Sequence, residues 1–261
     1  HTDRARKLLP KNSHDETVRV LRREELAALL RWAGPRPTQR KECDGGSDRD
    51  RIVFDLAWAV GLRIDEIRHL KIYPFEVMTP DQKYVAELFK LSVTGKRNKT
   101  RVVDIPAWLA LDIQTYIEGH RRRSLRCRGS KARESQLILN SENSRNRAGR
   151  PMTASGIHAL MVRACHGACL LKRVEHKNPL TGEIAIKSVP RFSLHCLRHT
   201  YAVMTYQNHK ASGVGDIEAW KYIQMNLGHA SPQTTMNTYL KHVTAWSDLR
   251  TSRTLLEMLR I

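Results

Sequence analysis

The chain has 261 residues, enough for one large domain or two small ones with an ample core. Its apolar content of 41% excludes a disordered polymer, and no window approaches the roughly eighteen apolar residues of a membrane span. With 45 Lys and Arg against 26 Asp and Glu, the formal charge is +19, an excess that points to a polyanionic partner, DNA or RNA first, and says nothing of fold.

The five cysteines, Cys43, Cys127, Cys165, Cys169 and Cys196, are odd in number and sit in a chain with its own core, which argues against a secreted disulfide scaffold. No signal peptide is visible, and the chain opens on His rather than Met. These features suggest an expressed or trimmed fragment of a longer protein that is not secreted.

Residues 1–16 are polar and basic and read as a tail or linker, leaving 17–261 as the folded unit. "VRVLRREELAALLRWAG" is expected to be helical, with Leu26, Leu29 and Leu30 on one face and Gly34 as its stop. A loop dense in Pro, Gly and Asp follows. "RIVFDLAWAVGL" is apolar nearly all round and predicts a buried helix, and "RIDEIRHLKI" continues with helical spacing.

The texture changes at "KYVAELFKLSVTGKRNKTRVVDIP". Two runs rich in β-branched and aromatic residues flank Gly95–Asn98, predicting a β-hairpin with a basic turn. It is the only convincing sheet signal. Pro106 then opens a helix with Leu109, Ile113, Tyr116 and Ile117 as its stripe. "GHRRRSLRCRGSKARE" reads as a solvated basic loop. "PMTASGIHALMVRACHGACLL" predicts a helix, and 172–190 a loop or small hairpin turning at Pro179–Gly182. "SLHCLRHTYAVMTYQ", with Ser193 as N-cap, and "DIEAWKYIQMNLG" are helical, and 245–260 is expected to form a closing helix. The fold class is mainly α with a small antiparallel β-sheet, an α+β arrangement.

Three stretches carry candidate chemistry. In "HCLRHT", His195, Arg198 and His199 fall at i, i+3 and i+4, on one helical face. A guanidinium flanked by imidazoles suits a phosphate, because its paired donors match two oxygens and a histidine can move a proton. The plain alternative is an exposed basic face, and a zinc site would need a third ligand that the sequence does not nominate. In "GLRIDEI", Arg63 follows the apolar helix, and Glu66 three residues on is placed to pair with it; a weak surface salt bridge is the bland reading. In "TGKRNKT", Lys96 and Lys99 compete for a role at the tip of a turn, as phosphate contact or proton donor, against simple edge-strand charge. Tyr239 in "NLGHASPQTTMNTYLKHV" reads, within that stretch, as either a nucleophile near His229 or a half-buried aromatic.

In this order, "GLRIDEI", "TGKRNKT", "SLHCLRHTYAV", "NLGHAS" and "TTMNTY" resemble the catalytic domain of the tyrosine recombinases, or phage integrase family, from about Val18 to His242. The resemblance implies that Arg63 and Arg198 clamp the scissile phosphate, Lys96 is the general acid for the 5′-hydroxyl (with Lys99 the fallback), and His195 and His229 contact phosphate and handle protons. It makes Tyr239 the nucleophile, forming a 3′-phosphotyrosyl intermediate, with Glu66 and His199 in support. No metal or cofactor is implied; the cations supply the charge, and no clustered carboxylates suggest a two-metal nuclease. A tyrosine hydroxyl with a free pKa near 10 needs cationic neighbours or a base to react.

The implied partners are double-stranded DNA at a recombination site and further copies of the chain, as dimer or tetramer on DNA. Arg97, Lys99, Arg121, Arg122, Arg123, Arg145, Arg147 and Arg150 are the candidate backbone contacts. The implied activity is recombination or integration for a mobile element; a type IB topoisomerase-like or telomere-resolving enzyme, or a decayed DNA-binding accessory protein, is the alternative. The family's usual N-terminal core-binding domain is missing from this sequence. The 245–260 helix is expected to dock on a neighbouring protomer, or else on its own domain. The polar flanks of Tyr239 suggest a residue that is mobile or withdrawn until a synapse forms.

Overall fold

The structure, a computed structural model, describes residues 18–81, 83–84, 87–95, 99–129, 131–177, 184–229, 231, 235–236, 238–239 and 242–243. The elements in order are α1 (Arg23–Ala33), α2 (Asp48–Ala59), α3 (Ile64–His69), α4 (Tyr73–Glu76), β1 (Leu88–Thr94), β2 (Thr100–Pro106), α5 (Ala107–Tyr116), α6 (Arg122–Arg126), α7 (Ala154–Gly167), β3 (Leu171–Lys177), β4 (Ile184–Pro190), α8 (Leu194–Ala211) and α9 (Asp216–Leu227). The α+β expectation holds, with one correction: among the described residues there are two separate antiparallel ribbons, β1–β2 and β3–β4, not one sheet. The first has Leu91 opposite Val103 and Thr94 opposite Thr100. The second pairs Leu171 with Pro190 and Lys177 with Ile184. Its turn at 179–182, like the 1–16 tail and the 245–260 helix, lies outside the described residues. The hairpin option for 172–190 was hard to see because its strands are charged and bury little; Ile184 and Ile186 are 66% and 70% exposed.

Helix α2 is the hub. It starts at Asp48, three residues before the expected first helical residue, and its apolar side chains Ile52, Val53, Phe54, Leu56, Ala57 and Trp58 are all buried. It packs on α8, α5 and α1, so apolar character on all faces follows from having neighbours on all faces. Trp58 stacks on Trp108 of α5 with centroids 6.1 Å apart. Gly34 ends α1 at φ +91°, as its position foretold. Ser193 occupies the N-cap of α8, where its N–H donates to Cys196 Sγ at 3.4 Å. The first half of the basic segment after α5, as far as Arg126, is helical rather than loop. The helix continues through a π turn, Ile117–Arg121, into α6.

A buried polar cluster locks α1, α2 and α5. Asp55, fully buried, accepts from Arg51 Nε at 2.9 Å and from the Trp58 indole at 2.7 Å, while Arg51 also donates to the Gly34 carbonyl at 2.8 Å. Asp112 of α5 accepts from Arg36 at 2.6 Å and from the Thr38 hydroxyl at 2.6 Å. Satisfied pairs of this kind are costly to break from one side only. An Asp55→Ala variant is expected to lose about 3–5 kcal/mol of unfolding free energy, because it strands a buried guanidinium and an indole N–H. Asp65→Ala, at the exposed Asp65–Arg68 pair, is expected to lose less than about 1 kcal/mol. Urea denaturation of both variants beside the parent chain measures the difference.

Candidate active site

The site is built around one buried carboxylate. Glu66, in the first turn of α3, is 1% exposed. Its oxygens accept from the Arg63 N–H at 2.8 Å, from Arg63 Nη1 at 3.1 Å and from Arg101 Nη2 at 2.9 Å, with a second, close contact to Arg101 Nη1. Arg198 of α8 lies 3.9 Å away. Burial by itself would raise the Glu66 pKa. The Arg101 hydrogen bonds, the Arg63 N–H and the charges of Arg101 and Arg198 outweigh it, so the carboxyl titrates below its ordinary range. Glu66 therefore pairs with Arg63, as the i+3 spacing implied, and also with a strand residue that the sequence did not single out.

Arg101 enters from β2 and additionally donates from Nε to the Asn226 carbonyl at 2.9 Å. Asn226 accepts the Asp104 N–H at 3.0 Å through its side-chain oxygen. The hairpin is thereby fastened to the end of α9. Gly95, the last described residue before the turn, lies so close that an added Cβ would sit 3.0 Å from Glu66 Oε1. The base of the turn is thus held at the site. Lys96 and Arg97 lie outside the described residues; Lys99 is exposed.

Arg198 is 1% exposed, and its two terminal nitrogens donate to the carbonyls of Gly61 and Leu227. Rigid backbone acceptors from the ends of α2 and α9 aim the guanidinium. Burial, then the charges of Arg63 and Arg101, push its pKa down to about 9, with Glu66 opposing, so it remains charged at neutral pH. Arg63 is more open, its side chain 37% exposed.

Past α9 the chain turns at Gly228, a left-handed cap at φ +62° where a Cβ would come within 2.8 Å of Arg101 Cδ. Both the conformation and the close approach require glycine. The turn presents His229, whose Nδ1 shares a 2.8 Å hydrogen bond with Thr235. Tyr239 is 1% exposed, and its hydroxyl shares a 2.9 Å hydrogen bond with His199 Nδ1. The His229 ring lies roughly parallel to the Tyr239 ring at 6.2 Å, and His195 meets His199 edge-on at 4.4 Å. The sequence left the position of Tyr239 open between docked and withdrawn; here it lies among the candidate residues of its own chain. Burial raises its pKa to about 12, against the pull of Arg198 and Arg63.

The structure thus gathers Arg63, Glu66, His195, Arg198, His199, His229 and Tyr239, and adds Arg101, Asn226 and Thr235, which sequence reasoning missed. One signal was available for Arg101: a lone arginine in a strand that otherwise turns apolar. Among the backbone candidates, Arg122, Arg123, Arg145, Arg147 and Arg150 are exposed. Arg121 is a correction. It is 4% exposed and spends its guanidinium on the carbonyls of Glu134, Gln136 and Leu137, so it ties α5–α6 to the following loop and is not presented to a phosphate. Among the described residues, no group of three or more His, Cys, Asp and Glu is arranged to hold a metal, and no helix is long and apolar enough to cross a membrane.

Residues 19–245 match the sequence profile of the phage integrase family, and the chain belongs to that family. Among relatives, it is 28% identical over 235 residues to the tyrosine recombinase XerC of Halalkalibacterium halodurans, covering 90% of this chain and 59% of that protein. It is 29% identical over 233 residues to the tyrosine recombinase XerA of Thermococcus kodakarensis, covering 89% and 62%. The chain thus spans about three-fifths of the length of the curated relatives it matches. Its fold is similar to that of the XerH site-specific recombinase in a post-cleavage complex with palindromic difH substrate, at a TM-score of 0.55 and 18% identity over 91% of this chain and 54% of that one.

Two histidines have strongly lowered pKa values. His199 is pushed to about 3 by burial and by the charges of His195, Arg198, His229 and His242. His229 is pushed to about 4 by burial and by Arg198, Arg63, His195 and Arg101. Both are neutral when folded, whereas in the unfolded chain they take a proton near pH 6.5. The unfolded state therefore binds more protons below that pH, and stability falls as pH drops from about 6.5 toward 4. The urea midpoint is expected to fall across this window, and less so in a His199→Asn/His229→Asn double variant.

Proposed function

We propose that this chain is the catalytic part of a site-specific DNA recombinase that cleaves and rejoins strands through a 3′-phosphotyrosyl intermediate. The observation that carries this reading is the docking of Tyr239 beside Arg198, Arg63 and three histidines. A phosphodiester seated here meets donors for its non-bridging oxygens and a nucleophile within one pocket. Arg63 and Arg198 hold the phosphate, Glu66 and Arg101 hold the arginines, and His195 and His229 contact the phosphate or pass protons. Lys96 protonates the leaving 5′-oxygen. Pre-aimed positive groups stabilise charge as it develops at phosphorus without reorganising, and the covalent link preserves the phosphoester for rejoining.

Double-stranded DNA is the substrate. The net charge of +19 and the exposed Arg122, Arg123, Arg145, Arg147 and Arg150, with Arg97 and Lys99 of the hairpin, provide the backbone contacts. Strand exchange between two sites needs two to four copies, with residues 245–260 joining neighbours. The catalytic unit is 17–261, behind the 1–16 linker and a core-binding domain from a longer chain. A mobile genetic element in a bacterial cytoplasm, at the nucleoid, is the proposed setting.

On a nicked suicide duplex, the parent chain is expected to form a covalent adduct stable to denaturing gel electrophoresis, and Tyr239→Phe none. An adduct with the phenylalanine variant would end this reading. Duplex affinity measured between 50 and 200 mM salt is expected to fall by about a thousandfold or more if six or more phosphates are contacted; a flat salt response would remove the charge argument.

A further inference from the structure

The side chain against the Tyr239 hydroxyl is neither of the two histidines to which the resemblance gives phosphate and proton roles. It is His199, one helical turn after His195 on α8, with Nδ1 at 2.9 Å from the phenolic oxygen. We propose that His199 is the catalytic base that takes the Tyr239 proton during strand cleavage and returns it during rejoining. This inference rests on the recombinase reading above.

The geometry favours His199 over its neighbours. His195 is exposed and turns its ring edge-on to His199. The Nδ1 atom of His229 is engaged with Thr235. His199 sits between these groups with its ring centroid 5.4 Å from that of Tyr239, within hydrogen-bond reach of the one proton that must move. An unprotonated Nδ1 accepts the O–H, with the ring proton on Nε2.

In cleavage, the O–H bond of Tyr239 breaks as its oxygen bonds to phosphorus, and the proton passes to Nδ1 to give an imidazolium. The P–O5′ bond breaks with its electron pair leaving on the 5′-oxygen, which takes a proton from the acid assigned to Lys96. In rejoining, the 5′-hydroxyl returns its proton to the amine assigned to Lys96 as its oxygen bonds to phosphorus, the tyrosyl–phosphorus bond breaks with its electron pair on the phenolic oxygen, and His199 gives its proton back to that oxygen.

The surroundings gate this step. The charged and titratable groups around His199 are His195 and Arg198 on α8, His229 after α9, and His242 with Tyr239 on the C-terminal segment, with Arg19, His158, Lys172 and Arg191 lining the same cavity. Burial first, and then the positive charge around it, keeps the imidazole neutral and weakly basic without DNA. A bound phosphodiester places negative charge against those cations and raises the basicity of His199. The tyrosine is thus activated by the arrival of its own substrate, and stays protonated without it.

The test is single-turnover cleavage of the nicked suicide duplex across pH. His199→Asn keeps a hydrogen-bonding atom near the Nδ1 position but cannot accept a proton. It is expected to cleave about a hundredfold or more slowly at neutral pH, with a rate that climbs with pH toward the phenol range, whereas the parent rate levels off. Free imidazole is expected to restore part of the rate to His199→Gly. His199→Asn cleaving within about threefold of the parent with the same pH profile overturns the proposal. Long-range proton–nitrogen NMR on the parent chain needs no variant to fold: a bare Nδ1 supports the proposal, and an Nδ1–H tautomer overturns it. Tyr239→Phe in the same assay separates the two claims. An adduct in that variant sinks the recombinase reading, whereas loss of the adduct there with an unimpaired His199→Asn sinks only the role of His199.

Discussion

Among the described residues, the site depends on Glu66 as the one anion set between three guanidinium groups. Two like charges about 4 Å apart repel by about 4 kcal/mol at an effective dielectric near 20, so a pocket holding Arg63, Arg101 and Arg198 would push itself apart without a counter-charge. The buried carboxylate offsets that repulsion with directed hydrogen bonds. It also joins three parts of the fold: the start of α3, the β1–β2 hairpin and α8. Three cations against one anion leave the pocket positive, which is the state a phosphodiester neutralises.

A second constraint is the rigidity of the acceptors around Arg198. Its partners are backbone carbonyls, Gly61 at the end of α2 and Leu227 at the end of α9. A carbonyl held by a helix terminus does not swing away as a side chain does. The guanidinium direction is therefore set by the packing of α2, α8 and α9, which is the hydrophobic core itself. The geometry of the candidate site and the packing of the core are linked here, and core substitutions far from the pocket will be felt at the arginine.

The docked tyrosine adds a third element. A buried phenol with a raised pKa and a neutral imidazole at hydrogen-bond distance form a pair at rest. Burial and the charge of Arg198 also disfavour a proton on that imidazole. On the proposed reading, the same charges both bind DNA and keep Tyr239 protonated before it arrives.

Much of this was readable from the chain alone, and the reason is locality. Helix α1 and its Gly34 stop, the β1–β2 hairpin, and the Arg63–Glu66 and His195–Arg198–His199 groupings depend on residues within a few positions of one another, where the 3.6 and 2.0 periods govern which side chains share a face. The order of the short motifs carried the family. The partnerships that decide the chemistry are not local. Arg101 reaches Glu66 across 35 residues, and His199 reaches Tyr239 across 40. The basic run at 121–133 looked uniform, yet tertiary packing buried Arg121 on three carbonyls and left Arg122 and Arg123 exposed. Charge and residue type were determined by sequence. Which guanidinium faces a carboxylate, a carbonyl or solvent, and which histidine meets the tyrosine, was decided only when the helices packed, because burial and pairing are properties of the assembled core.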